Sequence, residues 1–388
     1  MDLSSPDAQQ LPSSASSLSP RFVIGGEPKQ RGSDSEEAAA TRQALLRQFS
    51  LQRMMGYGME LGDALTLRRL VDEGFDWAPV ACQLADRAFL LAEWALSAGD
   101  GAGRRSALRR ASANLRIAQV IDESDSVERC ETYDRAEHAF QEAVEGDDRF
   151  ERISIPDPSG SVVCWLVRAR AGVNRPLVVV IGGVEGWALD LLGYAAALGA
   201  YGLATLLVDA PGQGQTRFVH AHFLSDQAPR VLRAIVKFAR ERLSAGDPVG
   251  ILGNSFGGNL VLHASAQNED VGACCDNGGS YAPFDLSQRP RFFSKMRSMC
   301  GPVDDEEAAR VFQSLELNQR SLEVPCPFLL VQGGADPLIS AKEAKSIFEK
   351  VTGSEKSMVV FPDGDHCIYN RPEDRFAVVG NFFERALA

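Results

Sequence analysis

The stretch Pro248-Val-Gly-Ile-Leu-Gly253-Asn254-Ser255-Phe256-Gly257-Gly258-Asn-Leu-Val-Leu-His-Ala-Ser-Ala-Gln267 decides the reading of this chain. Pro248 to Leu252 reads as a short buried strand, and Gly258 to Gln267 as a helix of small and apolar residues. Between them Ser255 has glycine two places before and two places after. A strand that turns this abruptly into a helix forces the serine into a strained backbone, and side chains at the flanking positions would collide with neighbouring elements. The turn lifts Oγ clear of the sheet, and the helix N-terminus behind it favours developing negative charge. Such a serine is a candidate nucleophile, provided the rest of the chain supplies a base, an acid and an oxyanion site.

Working outward, the base is expected at His366, in Phe361-Pro-Asp-Gly-Asp365-His366, after the last strand and before the final helix. His138 falls on a helix of the N-terminal half and His263 on the helix behind the serine, where packing or surface roles suffice. His220 and His222 have no acidic or cysteine partners at ligand spacing, so no metal is expected. The acid that orients the imidazole is expected at Asp336, in Val331-Gln-Gly-Gly-Ala-Asp336-Pro337, which follows another buried strand. Asp365 is its rival on the histidine's own loop, and Asp363 reads as turn chemistry. The expected oxyanion donors are the N–H groups of Phe256, immediately after the nucleophile, and of Val184, with Gly183 as the alternative. The latter pair stands in Gly182-Gly183-Val184-Glu185-Gly186-Trp187, after the strand Leu177–Ile181. Glu185 is read as holding that loop or touching substrate. Asp209-Ala-Pro211-Gly212-Gln-Gly214, at another strand end, reads as a structural turn.

The alternation that carries these residues begins at Phe150. Phe150–Ile155 and Val162–Val167, joined by Pro156-Asp-Pro-Ser-Gly160, read as a hairpin. Strands then follow at Leu177–Ile181, Ala204–Val208, Val249–Leu252, Val271–Cys275, Phe328–Val331 and Met358–Phe361. Helices are expected at Ala188–Ala200, Ser225–Leu243, Gly258–Ala266, Ala341–Lys350 and Asp374–Leu387. Continuous Val/Ile/Leu strands between helices predict an α/β fold with a mostly parallel sheet covered on both faces. A helical insertion over about 283–323 interrupts it, at the sheet edge where ligands bind.

Before Phe150 the pattern differs. Residues 1–40, rich in Ser, Pro, Gln and Gly, read as a disordered tail. Residues 41–147 read as about five amphipathic helices forming an all-helical cap, with Asp100-Gly101-Ala102-Gly103 as a breaker. The arginines at 104, 105, 109, 110 and 116 read as a solvated helix face. Residues 148–388 then form the catalytic domain. A formal net charge of −12 disfavours nucleic acid or anionic membrane as partner. No apolar run approaches the length of a membrane span, and the N-terminus lacks the regions of an export signal. The 8 cysteines, with one adjacent pair and no C-x-x-C, suggest reduced thiols in a cytoplasmic setting.

Ser255, Asp336 and His366, in that chain order and each at a strand end, make residues 150–388 resemble the α/β-hydrolase superfamily. Three further features narrow the resemblance: the helical N-terminal region, Gly-Gly-Val-Glu after the first core strand, and Asp365-His-Cys-Ile-Tyr-Asn-Arg-Pro372 around the histidine. Together they are similar to the helical-cap serine hydrolases that cleave a carbon–carbon bond beside a ketone, with esterases among their relatives. The resemblance implies the α/β-hydrolase fold, a Ser255–His366–Asp336 triad, no cofactor, and a small-molecule substrate of aromatic or polyketide type held between cap and core. It also implies a possible homodimer. Trp187, Tyr281, Phe284 and Phe292 are candidate aromatic contacts to the substrate. Asp276 and Asp285 are candidates for a polar contact. Acyl transfer or cyclisation through the same acyl-serine, and a silent ligand-binding fold, are the alternative functions.

Overall fold

The computed structural model describes residues 32–33, 35–169, 176–289, 292–353 and 355–388. Most of the tail expected over 1–40 lies outside them. The cap starts earlier than the periodicity suggests, because Ser35 accepts a hydrogen bond from the Ala38 N–H and caps a helix at Glu36. Six helices follow instead of five: α1 (Glu36–Gln48), α2 (Leu51–Gly56), α3 (Leu61–Asp72), α4 (Trp77–Ser97), α5 (Gly101–Gln119) and α6 (Val127–Ala143). The extra one arises at Ser50, whose hydroxyl accepts from Arg53 N–H and opens α2 directly after α1 ends. The Asp100–Gly103 breaker is narrower than expected. Asp100 accepts from Gly103 N–H at 2.8 Å, so the glycines form the first turn of α5.

Alanine lets the long helices of the cap pack closely. Ala81, Ala85, Ala88, Ala92 and Ala95 of α4 recur at a 4-3 spacing and are buried, and Ala85, Ala88 and Ala92 pack against Ala107 and Ala111 of α5 and Ala136 and Ala139 of α6. The arginine face corrects the sequence reading at one position. Arg116 is 2% exposed and pairs with Asp190 of the catalytic half.

The sheet has eight strands among the described residues, in the order β1-β2-β4-β3-β5-β6-β7-β8. These are β1 (Phe150–Ile155), β2 (Val162–Val167), β3 (Leu177–Ile181), β4 (Ala204–Asp209), β5 (Val249–Asn254), β6 (Val271–Asn277), β7 (Phe328–Gly333) and β8 (Lys356–Phe361). β1 and β2 form the expected hairpin, β2 runs antiparallel to β4, and the remaining pairs are parallel. Four of the parallel strands run one or two residues past the ends read from the sequence, into Asp209, Asn254, Asn277 and Gly333. Ladder bonds, which hydropathy does not register, continue to those three polar residues and one glycine.

Each central strand feeds two cores by simple alternation. Val179, Ile181, Leu206, Val208 and Ile251 face one layer, with α9 (Ala228–Phe238), α10 (Phe256–Ser265) and α14 (Ala341–Lys350). Val178, Val180, Leu207 and Leu252 face the other, with α7 (Leu192–Ala200) and α15 (Pro372–Ala386). A short helix α8 (Gly214–Phe218) follows the β4 turn and was not foreseen. The 283–323 insertion comprises α11 (Pro283–Ser287), α12 (Phe292–Met299) and α13 (Asp305–Ser314). No described helix is long and apolar enough to cross a membrane.

Candidate active site

Ser255 stands between β5 and α10 with φ 59° and ψ −128°, a left-handed backbone that a residue with a side chain adopts only under constraint. Its neighbours explain the constraint. A Cβ at Gly257 would lie 2.5 Å from the Ile181 carbonyl oxygen, and one at Gly253 would overlap the Gly257 carbonyl. Ser255 N–H donates to the Asn277 carbonyl at 2.9 Å, which ties the elbow to β6.

The base reaches it from the far end of the sheet. Ser255 Oγ–H donates to His366 Nε2 at 2.8 Å, and His366 Nδ1–H donates to Asp336 Oδ2 at 2.8 Å. Asp336 is fixed by two further bonds to Oδ1, from Leu338 N–H at 2.7 Å and Ile339 N–H at 3.0 Å. Its side chain is wholly buried, and that of His366 is 13% exposed. Burial opposes ionisation of Asp336, but the hydrogen bond and charge of His366 outweigh it and hold the carboxyl below its ordinary range. For His366 burial again opposes charge; Cys367 and the Asp336 carboxylate outweigh it and raise the imidazole above its ordinary value.

The histidine loop is strained as well. Cys367 and Ile368 have φ of 58° and 56°, and a β-branched residue rarely accepts this. The buried guanidinium of Arg375 donates to the Cys367 carbonyl at 2.7 Å and holds the turn. Asp365, the rival acid, instead accepts from Asn370 N–H at 3.2 Å, and Asp363 pairs with Arg371.

The loop after β3 lies against the nucleophile. A Cβ at Gly183 would meet Ser255 Cβ at 2.8 Å and Oγ at 3.1 Å, so this approach needs glycine. Gln213, in the turn read as structural, donates to the carbonyls of Gly182 at 2.9 Å and Gly183 at 2.8 Å. In a trans peptide the Val184 N–H points opposite to the Gly183 carbonyl, away from Gln213. Phe256 is the first residue of α10.

The cleft over Ser255 is lined by Gly183, Val184, Glu185, Phe292, Leu338, His366 and Tyr369, and from the cap by Arg53 and Tyr57. Its volume is about 20 Å³, room for roughly one water. A larger ligand must displace part of its lining. Glu185 ties the roof together: it accepts from Gln48 at 2.6 and 2.7 Å and from Arg53 at 3.1 Å, and it pairs with Lys295 of α12. Burial opposes its charge, yet Lys295 and Arg53 hold its carboxyl below the usual range.

Several expected contacts lie elsewhere. Trp187 is 1% exposed and packs edge-on against Tyr133 and Phe218 at 5.2 and 5.6 Å, filling the cap–core interface instead of the cleft. Tyr281 and Asp285 line a separate groove of about 320 Å³, and Phe284 packs against the core. Apolar bulk at these positions serves packing, which periodicity cannot separate from ligand contact. Asp276 is buried and accepts from Gly279 N–H at 2.7 Å; burial lifts its carboxyl to about 7, and it does not line the cleft. Phe292 does line it. His263 bonds the Leu315 carbonyl at 3.0 Å, His138 lies exposed on α6, and His222 is buried 3.9 Å from Asp157. No group of three metal-ligating side chains occurs among the described residues. The residues that sequence reasoning missed are Arg53, Tyr57, Lys295, Leu338 and Tyr369. Only Tyr369 falls in a quoted motif.

A family model described as the alpha/beta hydrolase family matches residues 177–379. The 2,6-dihydropseudooxynicotine hydrolase of Paenarthrobacter nicotinovorans is 26% identical over 199 residues, 50% of this chain and 53% of the relative, so the match spans about half of that protein. The crystal structure of 2,6-dihydroxy-pseudo-oxynicotine hydrolase superposes with a TM-score of 0.75 at 23% identity, covering 87% of this chain and 96% of the other. Wild-type AbyA5 superposes at 0.67 and 18% identity, covering 88% and 94%. These two likenesses speak to the fold, helical cap included.

Proposed function

The chain belongs to the alpha/beta hydrolase family, and on that premise we propose that it is a serine hydrolase cleaving a bond beside a carbonyl in an aromatic or polyketide-like metabolite. The observation that carries the reading is the continuous relay from Ser255 Oγ through His366 to Asp336, at 2.8 Å in each link. His366 takes the hydroxyl proton as Ser255 attacks the carbonyl carbon, while Asp336 keeps the imidazole in the tautomer that presents Nε2. The N–H groups of Phe256 and Val184 receive the oxyanion, helped by the positive end of α10. His366 then returns the proton to the leaving group, and a water activated by the same imidazole releases the acid from Ser255. The reading accommodates an ester or a C–C bond. The partial likeness to an enzyme named 2,6-dihydropseudooxynicotine hydrolase supports hydrolysis of a small organic molecule.

The test is turnover of aryl esters and β-diketones in water enriched in heavy oxygen. One label per turnover in the carboxylic acid is expected, together with covalent capture of Ser255 by a fluorophosphonate. Product without label would replace hydrolysis by acyl transfer, and an unlabelled Ser255 would remove the nucleophile from the scheme.

A further inference from the structure

The cap lowers two side chains onto the nucleophile's cleft that the relay does not use. Tyr57, 2% exposed, follows α2, and Arg53 lies one turn before it. The Tyr57 hydroxyl accepts from Arg53 Nε–H at 3.2 Å and from Nη2–H at 2.9 Å. A phenol oxygen has two acceptor positions and one proton. With the acceptor side taken by the guanidinium, the proton is what the hydroxyl has left to offer. No acceptor for it appears among the described residues. Burial raises the phenol's pKa above its ordinary value and outweighs the opposing pull of Arg53, so the proton is retained.

The charges around it are unbalanced. Arg53 and Lys295 share one carboxylate, Glu185, which leaves a formal surplus of one positive charge over the cleft. The lining is partly aromatic, with Tyr57, Phe292 and Tyr369, and Tyr369 meets Tyr57 edge-on at 5.6 Å; behind it the Arg53 guanidinium lies 4.5 Å from the Phe49 ring centre. In a cleft with room for one water, a cation and a free donor act more strongly on a developing anion than in bulk solvent.

An ester's leaving oxygen takes its proton directly from the histidine and needs no second donor. A leaving carbon differs, because its electron pair must be delocalised onto an oxygen two atoms away, which needs a donor of its own.

We propose that Tyr57, backed by Arg53, is the binding site for the oxygen of a carbon leaving group, and that the substrate is a 1,3-dicarbonyl or an acylphenol. This rests on the serine-hydrolase reading above. Ser255 Oγ bonds to the acyl carbon as His366 takes its proton. The tetrahedral adduct then breaks its C–C bond, the electron pair passes into an enolate, or into a phenolate when the ring has first taken its keto tautomer, whose oxygen accepts from Tyr57, and His366 delivers the proton to the leaving fragment. Water hydrolyses the acyl-serine, so one diketone and one water give one carboxylic acid and one ketone.

The full-length chain is assayed with 1-phenyl-1,3-butanedione and with 4-nitrophenyl acetate, whose nitrophenolate leaves unaided. In Tyr57→Phe, kcat for the diketone is expected to fall about 100-fold, the loss typical of one transition-state donor, with KM little changed. Ester turnover should fall far less, so the diketone-to-ester ratio drops at least ~10-fold. Arg53→Lys keeps the charge and should retain more of the ratio than Arg53→Met. Fluorophosphonate capture of Ser255 and the melting temperature verify that each variant is folded with its elbow intact. An unchanged ratio in Tyr57→Phe, or equal loss on both substrates, overturns the proposal. So does a wild-type chain that cleaves the ester and not the diketone, which leaves the serine-hydrolase reading standing. A wild type that turns over neither and takes up no fluorophosphonate overturns both.

Discussion

Beneath the cleft, Ser255, His366 and Asp336 stand on a parallel sheet, and above it Arg53 and Tyr57 ride at the end of a six-residue helix. The floor is placed by backbone. Ser255, Cys367 and Ile368 adopt positive φ, and glycines at 183, 253 and 257 admit contacts that no Cβ would allow. The roof is placed by side chains. Glu185 gathers Gln48, Arg53 and Lys295, Arg116 pairs with Asp190, and Arg217 of α8 pairs with Asp125 before α6. A floor built by strained backbone keeps its geometry when a side chain is removed. A roof held by buried ion pairs comes loose when one partner goes. Variants at the two levels should therefore fail in different ways.

The largest effect is expected at the floor. Ser255→Ala should lower kcat by about a million-fold, the cost of losing a triad serine, while the melting temperature barely moves. Appreciable residual turnover would break the contrast by placing the nucleophile elsewhere. At the roof, Asp190→Asn keeps the shape but leaves Arg116 buried without its counter-charge. Burial lifts the Asp190 carboxyl above its ordinary value and Arg116 pulls it back. A loss of about 3–5 kcal/mol in denaturant unfolding is expected. The elbow lies at the other level, so Ser255 should still react with a fluorophosphonate under native conditions. Loss of that reaction in folded protein would join the two levels into one.

The smallest effect is a titration of the floor alone. His366 acts as a base only when neutral, and its pKa lies above its ordinary value. Raising the pH should therefore increase kcat/KM until the imidazole is deprotonated, with a midpoint above the usual ~6.5, and about tenfold per pH unit below that midpoint. A midpoint below 6.5 would mean that burial outweighs Asp336.

How much of this was legible follows from the same division. Gly-x-Ser-x-Gly could be read because a steric rule forces glycine at Gly253 and Gly257. His366 and Asp336 could be read because each stands in a short loop a few residues after an apolar run, Met358–Phe361 and Phe328–Val331. The loop that carries Val184 stands out because glycine is needed at Gly183 for it to touch Ser255. Trp187, Tyr281 and Phe284 misled because an aromatic beside a site and an aromatic in a core look alike in one dimension. The buried Arg116 misled because its helix carries four other arginines at solvent-facing spacing, and the counter-charge lies 74 residues away.

By itself the sequence determined the sheet, the places of its strands to within a residue or two, and which serine, histidine and aspartate are the candidates for nucleophile, base and acid. Alternation, turn sterics and strand length act over a few residues and are written locally. Only the tertiary structure decided that Arg53 and Tyr57 line the cleft over Ser255, that Glu185 carries two cations, and that Trp187 fills a seam. Contacts between side chains far apart in the chain depend on how two packed layers settle against each other, and no spacing in the chain encodes that distance.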